Sequence, residues 1–153
     1  MWFKNKPEPR PSFSVGGYTL DMVLIDGYPF CELSPAEYET IGRQFVGERI
    51  YNAPEIEFVG KRWNITLGTV HGRLYKIASF LELEDKNEAN EASSGALTFC
   101  NEHLGKPTEQ RTGLFVWDTT DGNVILQTAE AKDWFAVNLF LTSRSVRAFQ
   151  SLV

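Results

Sequence analysis

The chain has 153 residues, of which 42% are hydrophobic and 23% charged, a balance that excludes disorder throughout and suits one globular domain. At that length folding removes roughly 68–70% of the unfolded chain's surface from water, so neither a disulfide nor a metal is needed for stability. The formal net charge of −5 excludes a broad phosphate-binding surface, because counterion release requires Lys and Arg in excess.

Residues 1–17 read as an extended N-terminal arm, with Pro7, Pro9 and Pro11 lacking backbone donors and Gly16-Gly17 marking a turn. The start Met1-Trp2-Phe3-Lys4 is broken at once by charge and proline, unlike the core of a secretory signal, and no later run reaches the ~18 apolar residues of a membrane span. A cytoplasmic location is the expectation, with residues 18–153 as a single domain. Residues 18–30 suggest a strand, or two joined at Asp26-Gly27.

Ser34-Pro35-Ala36-Glu37 has the makings of a helix start: an N-cap hydroxyl, a proline at the first helical position, and a carboxylate able to bond back. The spacing predicts a helix to about residue 46, with Tyr38, Ile41 and Phe45 on the face that lies on a sheet. Trp63, Ile65 and Leu67 then alternate with Arg62, Asn64 and Thr66, the period-2 pattern of a half-buried strand. Turn residues around Gly60 and Gly72 make 55–59, 62–68 and 73–81 a three-stranded antiparallel meander.

A second helix carries the stripe Ala89, Ala92, Ala96, Leu97, Phe99, Cys100 and Leu104, starts between residues 87 and 93, and stops at Gly105 and Pro107. Residues 113–118, 124–129 and 134–142 form a second meander around the Asp121-Gly122 turn. The fold class is therefore α+β: an antiparallel sheet of about six strands, as two three-stranded meanders flanking a central helix, with a second short N-terminal helix.

No catalytic, cofactor or metal residues are expected. At His71 or His103, metal or general-base chemistry would need a convergent set of carboxylate, thiol or second His that the local spacing does not supply, so His71 reads as a turn residue and His103 as suiting the helix C-terminus. Aligning Gly122 with the glycine of a calcium loop puts Trp117 and Thr119 where acidic oxygens belong, so a plain hairpin turn is the reading. Asn64-Ile65-Thr66 fits the glycosylation pattern by chance within a strand, and Cys31 and Cys100 read as reduced and inert. Nucleotide-binding loops, the serine-hydrolase elbow and the zinc-protease motif have no counterpart in the sequence.

Some strands are apolar on both faces: Leu114 and Val116 on one side with Phe115 and Trp117 on the other, and Phe135, Val137, Leu139 and Leu141 against Trp134, Ala136 and Phe140. Something covers the second face. The choices are the 35–46 helix and the arm, a second subunit or partner protein, or a pocket for a small apolar ligand. Trp63, Tyr75 and Trp117 are the candidate aromatics of such a surface, and Arg73, with Lys76, Arg144 and Arg147, its basic edge. The functional expectation is a non-enzymatic protein-binding or adaptor domain, chaperone-like or immunity-like, partnered by itself as a homodimer or by another protein, without nucleic acid or membrane. The alternative is a small-molecule-binding domain with an aromatic pocket between sheet and helix.

Overall fold

Tight turns between alternating strands set the architecture. In the computed structural model, which describes residues 13–24, 29–42 and 45–144, the elements run β1 (Ser14–Val15), β2 (Tyr18–Thr19), β3 (Cys31–Glu32), α1 (Pro35–Ile41), β4 (Glu48–Phe58), β5 (Lys61–Val70), β6 (Arg73–Leu83), α2 (Lys86–Leu104), β7 (Glu109–Arg111), β8 (Leu114–Asp118), β9 (Gly122–Glu130) and β10 (Phe135–Ser143). The loops Val59-Gly60 and His71-Gly72 hold positive φ at both residues, the mirror-image turn whose twist matches paired strands. Val59 is a β-branched residue at φ 45°, an uncomfortable conformation. It is kept there by packing against the core opposite Gly95 of α2, where even a Cβ would stand 3.3 Å from Val59.

The eight-stranded antiparallel sheet has the order β3-β4-β5-β6-β10-β9-β8-β7. The two meanders thus join along β6 and β10, from Phe135↔Leu83 to Thr142↔Lys76. Helix α2 lies across one face. Asp85 caps it, accepting from Asn87 N–H at 2.9 Å, and it buries Ala89, Ala92, Ala96, Cys100 and Leu104 at spacings of three and four. Its small residues let the helix approach the core formed by Trp63, Ile65, Leu67, Ile77, Trp117, Leu126, Val137 and Leu139.

The α+β class with an antiparallel sheet is observed, but the strand count differs from the expected six. Among the described residues the main sheet has eight strands, and β1 and β2 add a separate two-stranded hairpin. The extra members β3 and β7 are edge strands of two and three residues, too short to show a period. Phe13 and Val15, within the expected arm, are buried in the main core with Leu20. Strand β4 starts at Glu48, ahead of Pro54, because a register shift between Ala53 and Ile56 accommodates the proline, and β3 pairs only with Tyr51 and Asn52.

Helix α1 has the expected capping box between Ser34 and Glu37 but stops at Ile41, where Gly42 takes φ 80°. Tyr38 is buried, its hydroxyl accepting from Ile50 N–H at 2.8 Å and donating to Glu32 at 3.0 Å. Ile41 is 63% exposed and Phe45 packs with Tyr75 and Val70 beyond the helix. The expected stripe of Tyr38, Ile41 and Phe45 is thus divided between helix and loop, and α1 is tied to the β3–β4 edge through Tyr38, with its last turn reaching toward β5 and β6. Among the described residues no helix is long and apolar enough to cross a membrane.

Candidate functional site

Side chains alternate across each strand, so the face opposite α2 can be read from the strand registers. Its rows run across β6, β10, β9 and β8. The central row is Ala78↔Phe140↔Ile125↔Val116. On one side lies Phe80↔Asn138↔Gln127↔Leu114, and on the other Lys76↔Thr142↔Asn123↔Asp118. None of these residues belongs to the α2-side core. Phe80, Phe140, Ile125, Val116 and Leu114 are half-buried, whereas Lys76 and Asp118 are exposed. The result is an apolar band bordered by amides and hydroxyls, with a cation at one corner and a carboxylate at another.

A cleft of about 520 Å³ adjoins this face where the last turn of α1 approaches β5 and β6. Ile41, Ile50, Tyr75 and Ala78 supply its apolar lining, and Glu48 and Lys76 its charged groups. Tyr75 occupies the register shift at which Thr69 pairs with Leu74 but Gly68 with Lys76. Its ring lies over Gly68, where a Cβ would come within 2.9 Å of Tyr75 Cε1, and meets Phe45 edge-on at 5.3 Å. A glycine is therefore required for the ring to lie flat on the sheet. Lys76 Nζ stands 5.7 Å from the centroid of Phe140, a cation–π arrangement that links cleft and band.

The four residues expected to form a surface are not brought together on one face. Trp63 and Trp117 are wholly buried on the α2 side, each with its indole N–H donating at 2.9 Å, to the carbonyls of Phe58 and Gly105 respectively. Tyr75 is buried beside the cleft, and Arg73 is exposed at the start of β6, bridged to Val23. Arg144 donates to the carbonyls of Thr119 and Gly122 at 3.0 and 3.4 Å, closing the β8–β9 turn. Arg147 lies outside the described residues. The band residues that the sequence pattern did not single out are Ala78, Phe80 and Ile125. Their signal was a shared row or parity with Phe140 and Val116, once the register is known.

Other candidates have structural roles. His103 stacks on Phe99 at 4.1 Å, its Nδ1 2.8 Å from the Phe99 carbonyl. Thr119 and Gly122 satisfy one another across the Asp121-Gly122 turn, Thr119 Oγ1 accepting from Gly122 N–H at 3.1 Å and donating to its carbonyl at 2.9 Å. Burial pushes the Cys100 thiol up to about 12, while Cys31 is exposed. Among the described residues no group of three or more His, Cys, Asp or Glu could hold a metal ion. No protein-family model, curated protein or solved structure matches this chain, so its function has to be read from the open face and its cleft.

Proposed function

We propose that this is a cytoplasmic, non-enzymatic binding protein of the adaptor kind, whose open sheet face recognises another polypeptide. The observation that carries the reading is the in-register band Ala78–Phe140–Ile125–Val116, widened by Phe80 and Leu114, on the face that α2 leaves uncovered. Removing the remaining exposure of its five half-buried side chains from water is worth about 1 kcal/mol each. That total is similar to the low end of the 4–15 kcal/mol, roughly, that association costs. A hydrophilic partner would therefore not stay bound, and the partner has to bring apolar side chains of its own.

Native mass spectrometry of protein purified gently from the cells that make it tests the reading, with Phe140→Asp as the comparison. The expected result is an assembly of the wild-type chain with a second polypeptide, lost in the variant. Monomers in both samples refute it.

The second reading is a small apolar ligand in the cleft. Its volume of about 520 Å³ falls within the range of ligand sites, roughly 300–1,000 Å³. Tyr75, Ile41 and Ile50 offer the apolar wall and Glu48 and Lys76 the polar anchors. In the same spectra this reading predicts a small added mass that disappears when Ala78→Phe fills the cleft. An unliganded wild-type monomer counts against it.

A further inference from the structure

We infer that the partner of the open face is a second copy of this chain, docked face to face about a two-fold axis running along the strands between β10 and β9. The inference rests on the protein-binding reading above and names its partner. Such an axis lies in the plane between the two sheets. It exchanges β10 with β9 and β6 with β8, and returns every transverse row to itself.

The registers then dictate who meets whom. In the central row, Phe140 meets Ile125 of the second copy and Val116 falls over the small, buried Ala78, apolar on apolar. In the row beside it, Phe80 meets Leu114 and Asn138 meets Gln127, apolar on apolar and amide on amide. In the third, Lys76 meets Asp118 and Thr142 meets Asn123, cation on carboxylate and polar on polar. All six pairings agree in kind, and each occurs twice in the dimer.

The match is specific to this axis. Moved onto β10, the axis would set Phe80 against Gln127 and Lys76 against Asn123. Moved onto β9, it would set Asn138 against Leu114 and Phe80 against Arg111. Lys76 and Asp118 are both exposed, and among the described residues neither is in an ion pair. Both are thus available to pair across copies at the rim of the apolar band, where charges choose partner and register. Among the described residues, the last turn of α1 reaches this face only at the cleft over β5 and β6, to one side of the axis, and β7 at the other side has only three residues.

Sedimentation equilibrium on the purified full chain, with charge reversals at these two positions, is the test. The wild type is expected at twice its 17.3 kDa. Lys76→Asp and Asp118→Lys each convert both cross-copy ion pairs into like-charge pairs, and each should weaken the dimer by roughly tenfold or more. Mixed in equal amounts, the two variants form a heterodimer in which every Lys again faces an Asp, so wild-type affinity returns; the double variant should restore it within one chain. Circular dichroism confirms that these exposed substitutions leave the fold intact. A wild-type monomer overturns the second copy, and the protein-binding reading then fails only if native spectra also show no other polypeptide. A dimer that tolerates the single reversals, or a mixture that does not recover, overturns this axis; a dimer that also tolerates Phe140→Asp overturns both.

Discussion

Trp63→Phe separates a core tryptophan from a surface one. Trp63 is fully buried, with its ring edge-on to Phe58 at 5.5 Å and its indole N–H on the Phe58 carbonyl at 2.9 Å. Phenylalanine keeps a six-membered ring but deletes the donor, at a cost of about 1 kcal/mol for the lost hydrogen bond. It also gives up two ring carbons, equivalent to ~0.8 kcal/mol each by methylene burial. The expected loss is about 2.5 kcal/mol, which for a chain of this size lowers Tm by roughly 5–10 °C. Urea unfolding followed by far-UV circular dichroism reads it as a fall in midpoint at unchanged slope. Trp134, 43% exposed, is the control, and its change to Phe should stay within about 0.5 kcal/mol. If Trp63→Phe proves as silent as Trp134→Phe, Trp63 is not in the core and the assignment of the two sheet faces is wrong.

Gly122→Ala should be among the most damaging single-methyl changes, because the added Cβ would collide with the Thr142 carbonyl and the neighbouring backbone of Ser143, which cannot swing aside as a side chain could; a loss of about 3 kcal/mol or more in urea unfolding is expected. Ala96→Leu puts a large side chain between α2 and the sheet at a wholly buried position and should cost about 1–3 kcal/mol, a neutral result arguing that the helix stands off the sheet. Cys100 keeps its proton in the folded state to about pH 12 but ionises near its ordinary 9.0 when unfolded. Its contribution is therefore complete below pH 9.0 and lost as pH rises toward 12, with a slope of about 1.4 kcal/mol per pH unit. Cys100→Ser should flatten that slope, and in the native protein a thiol reagent at mildly alkaline pH should label Cys31 alone.

Much of the fold was legible because its signals are local. The X-Gly turns at Gly60 and Gly72, the Asp121-Gly122 turn and the stripe from Ala89 to Leu104 each act within a few residues, and each element formed. Parity along a strand is also local, which is why Leu114, Val116 and Phe140 announced a second apolar face. Which parity turns toward the helix is a tertiary matter. Trp117 sits in a strand apolar on both parities that would look the same on either face, and only the packing of α2 assigns it to the core, whereas the polar neighbours of Trp63 already marked its parity as the buried one. The shift that brings Tyr75 onto Gly68 has no sequence period at all. Ile41 and Phe45 kept helical spacing, yet Gly42 between them ends α1 one turn early.

The junction of β6 with β10 divides the molecule in time as well as in space. Each meander closes through short turns, but the junction joins residues as far separated as Ser79 and Leu139, whose hydroxyl-to-carbonyl bond at 2.9 Å spans 60 positions. Pairing over that separation incurs loop-closure entropy before any contact offsets it. The two halves should therefore gain protection from amide exchange early and separately during refolding. The line between them closes last, with α2 seated across it, and until then the apolar edges of β6 and β10 stand open to the wrong neighbour.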